Sequence, residues 1–345
     1  MHETILLAEA PPEESARLEA AITATGLKAT LRSSPAPVRD ATAAGLGPGV
    51  AVLSVFVGSR VTAEVLAACP DLRLVATRST GFDHVDVGAC ASAGVSVANV
   101  PSYGENTVAE HTFALILALS RNVHKAWLRT QRGDFSLQGL RGLDLRGRTI
   151  GLVGSGHIGL HVAKIARGFG MRVLATDPRP VPLLAEVVGF TYVDLEELVA
   201  ESDIVSLHAP ATAATHHLVD RELLGRFKRG ALLVNTARGG LVDTEALLWA
   251  LDEGILAGAG LDVLEGEEVL SEDRRLLALQ RDEASLRQLV ENQLLAGRED
   301  VVVTPHIGFD SAEAVQRIAD VTARNVAAFL AGDPQNLVIP ARTEE

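Results

Sequence analysis

Short apolar runs recur along the chain, each followed by a stretch with helical periodicity. Thr4–Ala8, Val50–Phe56, Leu72–Ala76 and Val95–Val97 read as strands. A continuous apolar run bounded by turn residues is the pattern of a parallel strand buried on both faces. Between them, Glu13–Thr25 puts Leu18, Ala21 and Ile22 on one helical face, and Thr62–Ala68 and Asp86–Ala93 read as short helices. After the break at Pro101-Ser-Tyr103-Gly104, helical periodicity runs from Glu105 to Arg132 and is stopped by Gly133. It predicts one long helix, whose most apolar part, Val108–Leu119, carries Glu110 and His111. That part is too short to span a bilayer and polar enough to be a buried helix of a globular protein.

Beyond a loop-rich connection at 134–148 the alternation resumes. Strands are predicted at Thr149–Val153, Arg172–Thr176, Asp203–Leu207, Ala231–Asn235, Ala257–Leu261 and Val301–Val303. Helices are predicted at His157–Phe169, Leu195–Ala200, Asp220–Phe227, Thr244–Glu253, Asp273–Leu295 and Ser311–Leu330. Strand–helix alternation throughout predicts an α/β fold built on doubly wound parallel sheet.

The turn between the first two elements of this second half is Gly154-Ser-Gly156-His157-Ile158-Gly159. Glycine suits the tight turn at Gly154, backbone approach to a pyrophosphate at Gly156, and close helix–strand packing at Gly159. The helix that follows offers free N–H groups and the positive end of its dipole to phosphate. Asp177 ends the next strand, where a carboxylate can accept from both ribose hydroxyls of an adenosine. It repels a 2′-phosphate, so NAD is expected rather than NADP, although Arg179 nearby works the other way.

Composition narrows the classes. With 345 residues the chain can bury two cores, and its net charge of −13 argues against a nucleic-acid partner. The basic piece Arg141–Arg148 reads as a solvated connection. Two cysteines, Cys69 and Cys90, provide neither a disulfide framework nor metal-ligand spacing, and no metal is called for. The start, Met1-His-Glu-Thr, has no basic region typical of a signal peptide, so a cytoplasmic protein without membrane attachment is expected.

Ligands of doubly wound sheets bind beyond the carboxyl ends of the strands. Predicted strand ends carry His208; Asn235 to Arg238; Asp262, with Glu265 and Glu267 beyond it; and His306. Arg238, Glu267 and His306 suit carbonyl reduction. An arginine holds a carboxylate bidentately and polarises a carbonyl. A histidine exchanges protons near neutrality, and a carboxylate beside it favours the imidazolium that reduction needs. Each has a plain alternative: Glu267 sits among Glu265, Glu268 and Glu272 as in a solvated acidic loop, and most of the 10 histidines, His216 and His217 among them, read as loop or surface residues.

Taken together, Gly154–Gly159, Asn235-Thr-Ala-Arg-Gly-Gly-Leu-Val-Asp243, Gly260-Leu-Asp-Val-Leu-Glu-Gly-Glu267 and Thr304-Pro-His-Ile-Gly-Phe309 resemble the D-isomer-specific 2-hydroxyacid dehydrogenases over nearly the whole chain. His157 in the glycine turn, Arg78-Ser-Thr-Gly-Phe82, Val100-Pro-Ser-Tyr103 and Phe309 are most similar to the D-lactate dehydrogenase branch. The resemblance implies that Arg238 binds the substrate carboxylate and carbonyl, that His306 is the proton donor and acceptor, and that Glu267 is its partner. It implies backbone donors to the carboxylate at Thr80 and Gly81, and Tyr103 and Phe309 around the substrate side chain. It implies cofactor contacts from Gly154, Gly156, His157, Ile158, Gly159, Asp177, His208, Ala209, Pro210, Thr236, Ala237 and Asp262.

The resemblance further implies a flavodoxin-like substrate domain, 1–103 plus 304–345, and an NAD-binding domain, 104–303, closing on each other about a hinge, in a homodimer. The expected reaction is NAD-dependent interconversion of a small 2-oxo acid and its D-2-hydroxy acid, of the pyruvate/D-lactate type. The alternatives are a phosphoglycerate or hydroxypyruvate/glyoxylate type, or an NAD-sensing corepressor-like binding protein. A lysine is expected in place of Thr80 in a phosphite-oxidising relative. The stretch from Glu267 to His306 is longer than the resemblance leads one to expect, and its segment 273–295 reads as a helical insertion.

Overall fold

The computed structural model describes residues 3–267 and 283–338. The chain divides into two compact units, residues 1–103 with 311–345 and residues 104–310. The first unit begins with β1 (Glu3–Leu7), α1 (Pro12–Ala24), β2 (Ala29–Ser33), β3 (Val50–Val55), α2 (Ala63–Ala68), β4 (Leu74–Thr77), α3 (Val87–Ser92) and β5 (Ser96–Ala98). Its sheet is parallel, in the order β2-β1-β3-β4-β5. The two-residue period of a strand splits its apolar runs between two cores. Leu6, Leu53 and Val75 face one, with Val65 and Cys90, while Ile5, Leu7, Val52 and Leu74 face the other, with Leu18 and Ile22. Helices on both faces explain why the strands read as unbroken hydrophobic runs.

The second unit holds α4 (Glu105–Ser120), α5 (Val123–Gln131), β6 (Thr149–Val153), α6 (His157–Gly168), β7 (Arg172–Thr176), α7 (Pro182–Val188), β8 (Thr191–Tyr192), α8 (Leu195–Glu201) and β9 (Ile204–Leu207). It continues with α9 (Arg221–Leu224), β10 (Ala231–Asn235), a single 3-10 turn at Gly239–Leu241, α10 (Thr244–Asp252), β11 (Leu256–Leu261), α11 (Glu283–Ala296) and β12 (Val301–Val303). The chain then returns to the first unit with α12 (Ala312–Leu330). There Ala319, Ala323 and Val326, one helical face, enter the core that α1 covers from the same side.

The second sheet is also parallel, ordered β12-β11-β10-β9-β6-β7-β8. Successive strands run outward from β6 in one direction, and those from β9 onward in the other. The switch point therefore lies beyond the carboxyl ends of β6 and β9, where such sheets bind ligands. The units divide after Asp310 rather than after Val303, and residues 304–310 group with the second unit, where Thr304, Ile307 and Gly308 are bonded to Asp262.

The expected single helix from Glu105 to Arg132 is two helices. Asn122 lies in the left-handed region at φ 51°, and the chain bends there. The carbonyls exposed at the bend are satisfied from outside the helix: Leu143 N donates to Ser120 O at 2.8 Å, and the His124 ring bridges Ala118 O and Glu299 O. The edge strands β2 and β8 and the short α7 carry no clear apolar period in the sequence. Of the expected 273–295 insertion, Glu283–Ala296 is helical and 273–282 lies outside the described residues. Among the described residues no helix is long and apolar enough to cross a membrane.

Candidate active site

The glycine turn sits at the switch point as its sequence requires. Gly154 has φ 102°, and a Cβ there would lie 2.7 Å from the carbonyl oxygen of His208 at the end of β9. A Cβ on Gly159 would lie 2.2 Å from the carbonyl of Gly154. Glycine is thus forced at both positions by the protein's own backbone. At Gly156 an added Cβ meets no protein atom within 4 Å, so packing does not explain that glycine. His157 stands exposed at that start, with Nδ1 3.4 Å from Glu105 Oε1.

Asp177, at the tip of β7, also holds this turn. Its carboxylate accepts from the N–H of Ser155 at 2.8 Å, the Ser155 hydroxyl at 3.0 Å and the N–H of Arg179 at 2.9 Å. Burial works against its charge, but these donors prevail and hold its carboxyl below the usual range. Ser155, the unassigned residue of the motif, is the link, and its hydroxyl also meets the Tyr192 phenol at 2.8 Å. Across the switch point the half-buried His208 ring lies 2.9 Å from the Ser206 hydroxyl, and desolvation lowers its pKa to about 4. It is therefore neutral at physiological pH. Ala209 and Pro210 continue from it.

The strand-end residues converge through backbone contacts. Asn235 is buried at the end of β10; its amide donates to Arg238 O at 2.8 Å and accepts from Ala237 N at 3.0 Å. This clamp fixes the Thr236–Arg238 turn, and Thr236 is bonded to Thr112 of α4 at 2.9 Å. Arg238 Nη1 donates to Ala237 O at 2.8 Å. The next residue, Gly239, lies against the loop that leads to Glu267: a Cβ would stand 2.1 Å from the carbonyl carbon of Leu264. Only glycine lets the Arg238 and Glu267 loops touch.

His306 and Glu267 meet directly, Nδ1 to Oε1 at 2.7 Å. The other Glu267 oxygen accepts from Leu264 N at 3.1 Å and so ties the carboxylate to its own turn. His306 has φ 55°, a conformation that costs a non-glycine residue on the order of 1–3 kcal/mol unless its surroundings impose it. Here they do. His306 N donates to the carbonyl of Asp262, and the Asp262 side chain accepts from the Thr304 hydroxyl at 2.5 Å, Ile307 N at 3.0 Å and Gly308 N at 2.8 Å. His111 of α4 completes the group, its Nε2 3.2 Å from Asp262 Oδ1 and 3.0 Å from Thr304 Oγ1. Burial disfavours the Asp262 charge, but its neighbours prevail and hold the carboxyl below the usual range. With Nδ1 committed to Glu267, the ring nitrogen that can serve a substrate is Nε2.

Thr80, Gly81 and Tyr103 belong to the first unit, and Phe309 to the second. Thr80 is exposed; its hydroxyl donates to Val100 O at 2.8 Å and its carbonyl accepts from the Asn99 amide at 2.8 Å. What Thr80 can present outward is thus its N–H. Arg78 just before it is fully buried and held by Glu14, Ser54 and the carbonyls of Ala8 and Glu9, which fixes the start of this loop. The roles of Ser155, His111, Thr304 and Asn235 had not been read from the sequence. The signals were faint: a histidine on an otherwise apolar helix, and small polar residues set between the glycines and charges of the motifs.

Residues 113–308 match the family described as D-isomer specific 2-hydroxyacid dehydrogenase, NAD binding domain. The chain is 41% identical over 283 residues to a glyoxylate reductase of Korarchaeum cryptofilum, covering 81% of this chain and 79% of that protein. It is 36% identical over 295 residues to a D-lactate dehydrogenase of Escherichia coli, covering 84% and 87%. Among solved structures, the D-lactate dehydrogenase of Aquifex aeolicus complexed with NAD and lactic acid superposes with a TM-score of 0.84 at 35% identity, covering 95% of this chain and 96% of that one.

Proposed function

The chain belongs to the D-isomer-specific 2-hydroxyacid dehydrogenases, NAD-binding oxidoreductases, and we propose that within them it interconverts a small 2-oxo acid and its D-2-hydroxy acid, of the pyruvate/D-lactate type. The observation that carries this reading is the 2.7 Å pairing of His306 with Glu267 on loops that touch the Arg238 turn. NADH supplies the hydride. Arg238 holds the substrate carboxylate and polarises the carbonyl oxygen. His306 delivers a proton from Nε2 to that oxygen, and Glu267 on Nδ1 keeps the ring oriented for the transfer. In the reverse direction the neutral ring accepts the hydroxyl proton. Backbone N–H groups of Thr80 and Gly81 bind the carboxylate, and Tyr103 and Phe309 border the side chain, which suits a short, partly apolar group.

The pyrophosphate is assigned to the start of α6, at Gly156, His157 and Ile158, with Gly154 and Gly159 shaping the turn. The ribose is assigned to Asp177. His208, Ala209 and Pro210 line the cofactor cleft, and Thr236, Ala237 and Asp262 border the nicotinamide. The test of substrate class is steady-state turnover of NADH with pyruvate, glyoxylate, hydroxypyruvate and phosphohydroxypyruvate. Highest kcat/KM with pyruvate is the expected result; a clear preference for glyoxylate or a phosphorylated acid overturns the pyruvate assignment.

Asp177→Ala should weaken NADH use about tenfold and raise the NADPH-to-NADH ratio of kcat/KM, because the carboxylate that repels a 2′-phosphate is gone. An unchanged ratio would place ribose reading in another residue. The second unit also exposes Trp127, Phe135 and Leu137, at 61%, 79% and 85%. Large apolar side chains this exposed mark an interaction surface, and we assign them to a homodimer. Phe135→Glu with Leu137→Glu should move the protein to monomer mass in light scattering; an unchanged mass removes the assignment.

A further inference from the structure

The loop before α9 places His216 and His217 side by side, their rings stacked with centroids 4.0 Å apart. Glu265, from the loop after β11, reaches the same point: its carboxylate oxygens lie 2.9 and 3.0 Å from His217 Nε2. One ligand atom from each residue falls within 4.8 Å of the other two. We propose that His216, His217 and Glu265 form a site for one divalent transition-metal ion of the zinc class, separate from the His306–Glu267 pair.

The donor set is right for it. Two imidazole nitrogens and one carboxylate oxygen suit borderline metals and leave the fourth tetrahedral position to water or another ligand. His217 is fixed in position. Its backbone is in the left-handed region at φ 50°, and its N–H donates to Gly240 O at 2.8 Å. Its Nε2 faces Glu265, and its Nδ1 lies 4.0 Å from Asp243 Oδ2, a second carboxylate whose charge favours a cation at this point. Asp243 is itself fixed, since its other oxygen caps α10 through Ala246 N at 3.0 Å. His216 Nδ1 and Glu265 Oε1 both look onto Gly240, where a Cβ would lie 3.5 and 4.0 Å from them.

Two ligands on a tetrahedral zinc at about 2.0–2.1 Å stand roughly 3.3 Å apart. The His217–Glu265 pair has only to open slightly, and the exposed His216 ring closes by side-chain rotation. A bound ion would clamp the 216–217 loop to the loop between Leu264 and Glu267 beside the Gly239–Leu241 turn. That is the seam between the Arg238 and Glu267 loops.

The test is titration of the full-length, chelator-stripped protein with Zn²⁺ against a chromophoric competitor. One equivalent should bind, with a dissociation constant in the micromolar range. His216→Ala, an exposed position that spares the fold, should weaken binding at least about tenfold, as should Glu265→Gln. Asp243→Asn, which keeps the helix cap but not the nearby charge, should weaken binding by less than either ligand change does. His306→Gln should bind as the parent does. With Cu²⁺ as probe, the paramagnetic resonance spectrum of the parent should show coupling to two nitrogens. Stoichiometric binding untouched by His216→Ala, loss of binding in His306→Gln, or no saturable binding below about 100 μM would each overturn the site and leave His217–Glu265 as an ion pair only.

Discussion

Replacing His306 by glutamine should lower kcat by about 10²–10⁴-fold while the affinity for NADH stays within about twofold. The ring is placed for one task. Its Nδ1 is committed to Glu267 at 2.7 Å, and its backbone is held in an otherwise unfavourable conformation by Asp262. In the proposed mechanism this arrangement serves proton transfer at Nε2, and glutamine keeps much of the volume and a hydrogen-bonding group without a proton to exchange. Stopped-flow NADH binding and steady-state turnover, measured on the same preparation, separate the two effects. Equal losses in both would make His306 a cofactor-binding residue and would remove the proton-transfer role from the proposed mechanism. Glutamine at Glu267 should also reduce kcat, by less, because its amide oxygen can still accept from the ring but orients it less strongly than a carboxylate does.

The second large effect is on stability. Asp262→Ala should destabilise the protein by about 2–4 kcal/mol, because Thr304, Ile307 and the buried N–H of Gly308 lose their shared buried acceptor at once. Asp262 is 2% exposed, and it accepts from Thr304, Ile307 and Gly308. A fall in the melting temperature of roughly 10 °C is the expected readout. Turnover should fall as well, since the turn that imposes the His306 backbone loses its anchor.

The pH dependence carries a sign. The Asp262 carboxyl is held below its usual range in the fold, so the stability it adds is complete above the unfolded value of about 4 and is lost as pH falls through the folded value. The gap between parent and Asp262→Ala should therefore narrow only in strong acid. His208 acts at higher pH. Its folded pKa of about 4 lies below the ordinary histidine value, so the unfolded chain binds the extra proton first and stability declines as pH drops from about 6.5 toward 4. That decline should be present in both proteins. A parent–variant gap of under about 1 kcal/mol at neutral pH would show that the turn is held by something other than Asp262.

The glycine turn was legible because its reasons are local. A tight turn, a helix start and an apolar run before it are all written within a few positions, and Gly159 is forced by the Gly154 carbonyl of the same turn; the contact of Gly154 with His208 comes from the sheet. Strand ends were legible for a similar reason: the runs ending at Asn235 and Leu261 lie inside the sheet, are buried on both faces and stand out from their neighbours. The edge strand Ala29–Ser33 and the Pro182–Val188 helix were not, because edge elements bury too little surface to impose an apolar period. The bend at Asn122 was hidden too. The helical pattern continues through it, and what ends the first helix is a set of partners, Leu143 and Glu299, far away in the chain.

By itself, then, the sequence determined a parallel α/β chain of a dinucleotide-binding kind, and it pointed to the 154–159 turn and to Arg238, Glu267 and His306 as candidates for the cofactor and for carbonyl reduction. These follow from period, turn chemistry and residue type, which are properties of short segments. Only the tertiary structure decided that Ser155 locks Asp177 to the turn, that Asp262 dictates the His306 backbone, and that His217 belongs with Glu265 rather than to a plain surface loop. Each of those is a hydrogen bond or ion pair between side chains brought together by separate strands. A sequence lists such residues at distances of tens of positions, and the parallel sheet, by lining up its carboxyl ends, is what makes them neighbours.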